Sequence, residues 1–282
     1  MPPPYKTAGR CIYCGYVPAD LRELTDEHIM PRGLNGPWVI PHASCEKCQK
    51  EINKVETACM QGFLMPARLH FQMKRSKRKN GPTKIRVVLE RDDGQVEMEL
   101  GHDKFPFIYL PTFTGPLLAL NAPPCVQTIN IDIVGVRFEG ADRIFAELGA
   151  NKVHVPHVPN IDAFARMLFK IAHCFAVAEL GLQRVIPFLI EEILGTLSLN
   201  HNFHVGCSLA RPEELDQHMD NLHQLTWFPV PYRGRTLIVV RIQLLSCLAA
   251  PAYDVTVGLL RAPPSRDASS SDAESSNVSV GC

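Results

Sequence analysis

The amino-acid sequence predicts an α+β fold in which a small cysteine-stapled unit precedes a larger domain of antiparallel strands and buried helices. Near the N-terminus, two Cys-x-x-Cys pairs leave room for a small independent unit between them. Further along, the runs 85–89 and 96–100 alternate apolar with polar residues around Asp92-Asp93-Gly94, which predicts an antiparallel hairpin. Residues 164–180 are apolar almost all round, as in a buried helix.

Composition gives few clues to function. The chain has 282 residues, of which 46% are apolar and 21% charged, and its formal net charge is zero. These values are typical of an ordinary globular protein, so only local charge clusters can indicate a partner. The N-terminus lacks the apolar run of a secretory signal, and charged residues interrupt the most apolar stretches. We therefore expect a cytoplasmic protein with no membrane contact.

The two cysteine pairs, Cys11/Cys14 and Cys45/Cys48, predict one metal site. Four thiolates can close a tetrahedral cage, which zinc prefers. Ten cysteines in a reducing compartment do not indicate disulfides. Free thiols or redox pairs are the alternatives, but the βαβ pattern expected around a redox pair is missing. We interpret the four residues as ligands of a structural zinc ion.

Between and after the pairs, the chain predicts a strand, loop, strand and helix. Residues 25–29 form the first strand, which Pro31 and Gly33 interrupt, and residues 38–40 are apolar enough for the second. Ser44 is the expected N-cap of a helix over residues 45–60. The predicted order is therefore ββα, with the second cysteine pair at the start of the helix.

These residues carry a family resemblance. The strings Cys11 to Gly15, Thr25 to Gly36 and Ala43 to Cys48, in this order, resemble an HNH endonuclease module of the zinc-stapled kind. The resemblance implies a ββα fold, a purely structural zinc ion and metal-dependent hydrolysis of phosphodiester bonds in nucleic acid, with DNA the favoured substrate. It covers less than a fifth of the chain and implies nothing about the remainder.

Cutting a phosphodiester needs a deprotonated water molecule and a cation that offsets the charge on phosphate. By the resemblance, His28 is the general base, a role that suits a neutral imidazole. Glu27 stands where the family has a ligand of the catalytic divalent ion, here magnesium or a similar ion. Asp26 is the competing acid.

The resemblance also implies metal ligands on the helix, at positions that hold Gln49 and Asn53 here. Both lie on one helix face, but neutral amides bind a hard divalent ion more weakly than a carboxylate does. We take Asn53 as the predicted ligand. The asparagine that orients the base in the family falls near Ile40, which cannot do so; Asn35 and His42 are possible substitutes.

A basic run follows the module and is the predicted nucleic-acid contact. It would hold the phosphate backbone without reading its sequence; a solvated surface is the alternative. Its residues are Lys74, Arg75, Lys77, Arg78 and Lys79.

Composition shifts divide the chain into five predicted segments. These are a flexible tail (1–8), the HNH-like zinc module (9–66), a basic linker (67–82), an α+β domain of unknown role (83–261) and a disordered tail (262–282). In the domain we expect strands at 129–133, 237–248 and 253–260, helices at 142–148 and 187–194, and loops with short edge pieces over 105–124.

Two functions besides hydrolysis remain open. A catalytically degenerate zinc-stapled module that binds nucleic acid or protein is favoured by Gln49 and Ile40. Alternatively, the C-terminal part carries the main activity and the zinc module anchors it. Histidine pairs such as His201 and His204 have no Cys or acidic pattern that completes a site, so we expect them to be surface or hydrogen-bonded core residues.

Overall fold

The computed structural model describes residues 5–73, 84–101, 104–116, 118–121, 131–154, 159–197, 201–208, 222–248 and 250–262. Within these ranges the chain is α+β, with antiparallel sheets, so the predicted fold class is confirmed. Residues 1–4 of the predicted N-terminal tail, the basic linker after residue 73 and the C-terminal tail after residue 262 lie outside the described residues.

The N-terminal module has the predicted ββα order. Strands β1 (Leu24–His28) and β2 (Val39–Cys45) pair antiparallel, and helices α1 (Glu46–Gln61) and α2 (Met65–His70) follow. One detail of the prediction was wrong: the N-cap of α1 is Cys45, not Ser44. Ser44 is still paired with Thr25 in the sheet, because β2 continues to Cys45, which is a member of the cysteine cluster.

Two small sheets form the middle of the chain. The hairpin of β3 (Lys84–Arg91) and β4 (Gly94–Gly101) turns at Asp92-Asp93 as predicted, and β7 (Lys152–His154) joins β3. Strand β5 (Phe107–Phe113) pairs with β6 (Ile131–Arg137), and α3 (Ala141–Leu148) follows. The short edge pieces predicted within 105–124 are thus a regular strand of seven residues, longer than expected. Pro111 fits β5 because each strand of a two-stranded sheet has an unpaired edge.

The C-terminal part is a five-stranded sheet with helices. Its elements are α4 (Ile161–Leu180), β8 (Val185–Pro187), α5 (Ile190–Leu194), β9 (Val205–Ser208), β10 (His223–Tyr232), β11 (Arg235–Leu244) and β12 (Ala252–Leu260). The sheet order is β10-β11-β12-β8, with β9 also paired to β12. The helix predicted from Pro187 begins later, because Pro187 belongs to β8. Strand β10 was not predicted, since Pro229 and Pro231 are tolerated only on such an edge strand.

Helix α4 lies at the centre of the molecule. It packs against α1 and α5 and against strands β11 and β12, and fourteen of its residues are buried. Apolar residues of the module, such as Ile29, Leu34 and Ile52, belong to the same buried cluster as α4 and the large sheet. The module therefore shares its core with the C-terminal part, and the division into domains stays a prediction. No helix in the described part of the chain is both long and apolar enough to span a bilayer.

Candidate metal centre and adjoining histidine site

The four predicted ligand cysteines come together. The sulfur atoms of Cys11, Cys14, Cys45 and Cys48 all lie within 4.8 Å of one another. The Sγ atoms of Cys14 and Cys45, for example, lie 3.7 Å apart. Cys14 is exposed and the other three are buried. The cluster therefore sits at the surface with its inner wall in the core.

Local backbone geometry builds the cage from the sequence. The first knuckle is the turn of residues 11–15. Here the Gly15 amide donates to the Cys11 carbonyl over 2.9 Å, and Gly15 adopts a φ of 76°, a value that glycine reaches without strain. The Ile12 amide donates to the Ala43 carbonyl over 2.8 Å, which ties this knuckle to β2. Cys45 ends β2 and Cys48 lies in the first turn of α1, so the second pair is placed by the junction of strand and helix.

The chemistry of this donor set fits a soft or borderline cation. Burial raises the pKa of Cys48, and the neighbouring Cys11 raises it further. Thiols held this close do not all ionise unless a cation compensates their charge. Four cysteine sulfurs are the ligand set of structural zinc sites. The cluster can therefore hold a metal ion such as zinc, which would staple the knuckle to α1.

Helix α4 supports the first knuckle from behind. His173 Nε2 lies 3.0 Å from the Ile12 carbonyl oxygen, and a hydrogen bond of 3.1 Å joins the Tyr13 hydroxyl to Cys174 Sγ. Both α4 residues are fully buried. With Lys170 they stand at i, i+3 and i+4 and form one polar stripe in the buried middle of the helix. This stripe faces the module.

Lys170 closes a buried ion cluster under the end of β1. Its Nζ lies 2.9 Å from Glu27 Oε1 and 2.9 Å from Glu56 Oε1. The same nitrogen donates to the His28 carbonyl and lies 3.4 Å from that of Ile29. The Lys170 side chain is 2% exposed. Burial alone would lower the pKa of Lys170, but Glu27 and Glu56 outweigh it and raise that pKa, so the ammonium stays charged.

His28 ends β1 beside this cluster. Its ring is half-buried and makes no hydrogen bond to any described residue, and its Nδ1 is buried without a partner. Burial lowers the pKa of His28, and the positive charges of Arg32 and Lys170 lower it further. The imidazole is therefore neutral at pH 7 and able to accept a proton.

Backbone pairing fixes where His28 lies. It stands opposite Val39, and the Ile29 amide donates to the Trp38 carbonyl over 3.0 Å, which extends the pairing past the histidine. In the turn that follows, a Cβ added to Gly36 would lie 2.3 Å from the Cβ of Met30. Only glycine fits that close approach, so the turn and the end of β1 are held in one arrangement.

In the described part of the chain, no hydrogen bond or ion pair joins Glu27 to the other residues of the predicted catalytic site. Asn53 is exposed on α1, and Gln49 is partly buried. Asp26 is exposed and accepts from the His42 amide. The described arrangement gives no support to a magnesium ion held by Glu27 and Asn53, because the Glu27 carboxylate is paired with a lysine; that ion stays a prediction.

The proposed substitutes for the orienting asparagine are also placed elsewhere. His42 Nδ1 lies 3.0 Å from the Leu21 carbonyl oxygen. Asn35 ends the short 3₁₀ turn after β1, in a left-handed conformation. Ile40 is buried opposite Glu27. The run Lys74, Arg75, Lys77, Arg78 and Lys79 lies outside the described residues.

Sequence reasoning missed two members of the cluster, Glu56 and Lys170. Both left a signal. Glu56 stands three residues after Asn53, near the face already singled out on the helix. Lys170 is the only charged residue between Met167 and Ala178. A single lysine in an apolar helix requires a buried partner, but the sequence does not name it.

His223 joins the large sheet to the module. The Leu245 amide donates to its Nδ1 over 3.2 Å, so the proton is on Nε2, which donates to the Leu34 carbonyl over 2.8 Å. Both bonds require the neutral ring. Burial lowers the pKa of His223 to about 4, and burial likewise lowers that of His204 to about 4.

We expect the protein to lose stability as pH falls from about 6.5 towards about 4, since the unfolded histidines bind protons in that window and the native ones do not. The contribution of His223 is about 3 kcal/mol. Urea unfolding between pH 5 and 7, at matched metal content, should show a smaller pH dependence for His223→Gln than for the parent. Equal slopes would show that His223 is not the group that titrates.

Comparison with protein families, with curated proteins and with solved structures finds no match for this chain. Function must therefore be inferred from the chemistry of the site.

Proposed function

We propose that this chain hydrolyses phosphodiester bonds in nucleic acid, with DNA the favoured substrate and His28 as the general base. The observation that carries the proposal is that the His28 ring is both neutral and without a hydrogen-bond partner among the described residues. Its half-buried ring is neutral at pH 7 and makes no hydrogen bond in the described part of the chain, so it is free to take a proton from water.

The rest of the module supports this role. The cysteine cage stands next to the β1 and β2 strands, and the order of cage, strands and helix is that of the HNH modules the sequence resembles. A zinc ion in the cage would be structural, because four protein ligands leave no open position for water. Any catalysis would then come from the residues at the end of β1.

The proposed reaction uses groups on that strand end. A water oxygen forms a bond to phosphorus while its proton passes to His28. The bond from phosphorus to the leaving sugar oxygen breaks, and that oxygen takes a proton from solvent. Arg32 is exposed, and its charge already acts on His28. Its guanidinium would offset charge on the phosphate, a contact the sequence did not predict.

A second function is favoured by one observation. Glu27, the predicted metal ligand, is paired with Lys170 and buried. A module whose metal-binding acid is neutralised internally can keep its zinc fold and bind nucleic acid or protein without cutting it. This is the binding-module candidate.

The test is nicking of supercoiled plasmid by zinc-loaded protein. The assay is run with added magnesium, with added manganese, and with EDTA at a concentration that leaves the zinc bound. We expect His28→Ala to reduce the nicking rate by about 10²- to 10⁴-fold, the usual contribution of a general base. His154→Ala is the matched control, since His154 is exposed and pairs with Glu90 on another sheet.

Nicking that is equal in parent and His28→Ala would contradict the role of His28. If the parent does not nick plasmid or cut single-stranded DNA or RNA while it retains its zinc, the binding-module candidate replaces the hydrolase.

A further inference from the structure

We propose that the Lys170 ammonium fills the cation site of the module, so that this chain supplies from its own α4 the positive charge that a hard divalent ion would otherwise bring. The inference deepens the proposed function and rests on it for the nature of the module. It adds that the chain binds no divalent ion beneath β1.

The atoms around the ammonium are those of a hard-cation site. Four oxygens surround Nζ: the carboxylates of Glu27 and Glu56, each at 2.9 Å, and the carbonyls of His28 and Ile29. Carboxylate and carbonyl oxygens are the ligands that magnesium, calcium and manganese take in proteins. They come from β1 and the turn after it and from α1, so the module alone provides the whole donor set.

The charge balance also fits a missing divalent ion. Two carboxylates bring two negative charges into a region where Glu27 is 4% exposed and Lys170 is 2% exposed. The single charge of Lys170 leaves one of them uncompensated within the cluster, whereas a divalent ion would compensate both. Buried carboxylates are costly unless they are paired. The site is therefore built for more positive charge than the lysine alone provides.

A solvent ion cannot readily displace Lys170 from this site. The lysine comes from the middle of a twenty-residue helix in which both neighbours, Phe169 and Ile171, are fully buried. Moving the ammonium out would break contacts to two carboxylates and two carbonyls at once. A divalent ion would then have to displace a tethered cation whose pKa its partners raise. We infer that the parent protein excludes divalent ions from the cluster.

The test measures manganese binding by zinc-loaded full-length protein, from the loss of the electron paramagnetic resonance signal of free Mn²⁺. The parent is expected to bind no manganese in the cluster. In Lys170→Ala the ammonium is gone from between the four oxygens. We expect this variant to bind one Mn²⁺ per chain there, about a hundredfold tighter than any binding by the parent. Adding Glu56→Gln to that variant removes one carboxylate and should abolish the gain.

Two results would overturn the inference: one manganese ion bound by the parent and lost in the single variant Glu56→Gln, or a folded Lys170→Ala protein that binds none. Should Lys170→Ala fold only when manganese is present, the inference is supported; should it not fold at all, the comparison of parent with Glu56→Gln decides. No arm depends on cleavage. A parent that neither nicks DNA nor binds manganese refutes the proposed function while the inference stands.

Discussion

Cys48→Ser is expected to remove the metal from the cage and to cause the largest loss of stability of any substitution considered. Zinc binding in small zinc-dependent domains is worth about 10–16 kcal/mol, and that binding energy is folding energy. Cys11 and Cys48 belong to the same buried cluster as Ile52, so the packing around the cage depends on both. We expect residues 5–61 to lose protection first.

The measurement combines metal content, urea unfolding and limited proteolysis of α1. Cys59→Ala is the matched control, since Cys59 is a fully buried cysteine of the same helix that lies outside the cage. It should keep its metal and lose only the smaller free energy of a core truncation. A Cys48→Ser protein with the parent's metal content and midpoint would contradict the assignment of the cage.

Lys170→Met is expected to lower the free energy of unfolding by about 3–5 kcal/mol, because it leaves the buried Glu27 carboxylate and the partly buried Glu56 carboxylate without their counter-charge. Methionine keeps most of the volume of the lysine stem, so the loss reports charge rather than a cavity. Chemical denaturation of the zinc-loaded protein measures it. The variant with Glu27→Gln and Glu56→Gln added should recover much of the loss, since amides need no counter-charge.

An exposed ion pair serves as the control for lysine removal. Lys54 pairs with Glu51 on the outer face of α1, at 2.8 Å, and its side chain is 71% exposed. Lys54→Met should change stability by no more than about 0.5 kcal/mol. Equal effects of Lys54→Met and Lys170→Met would show that the buried cluster does not hold α4 to the module.

The ββα module could be predicted because its signals are local. The Cys-x-x-Cys spacing, the interruption at Pro31 and Gly33 and the apolar run 38–40 each constrain a few neighbouring residues, and the observed elements follow them within a residue or two at most ends. The same holds for the hairpin of β3 and β4. In these parts of the chain, the conformation follows from the local sequence.

Strand β10 and the full length of strand β5 were not predicted, and the reason is physical. Prolines in β10 and β5 remove backbone donors, which argues against a strand unless the sheet offers an unpaired edge there. Whether an edge is unpaired is a property of the assembled sheet. The sequence of a single strand carries no record of it.

The ion cluster could not be predicted because its three side chains come from distant parts of the chain. Glu27, Glu56 and Lys170 meet only after α4 docks on the module. Local signals placed Glu27 at the end of β1, but the lysine that pairs with it comes from α4 and could not be read from the module's own sequence. The cysteine cage escaped this difficulty because spacing alone identified its members.

The most direct measurement is anomalous X-ray scattering from crystals of the full chain, grown with its zinc and soaked in manganese. We expect one zinc peak, bound by the sulfurs of Cys11, Cys14, Cys45 and Cys48. Between Glu27 and Glu56 we expect the Lys170 Nζ and no anomalous peak. A manganese peak bound by Glu27, with Lys170 turned away, would contradict this expectation and restore a divalent ion to the site of His28.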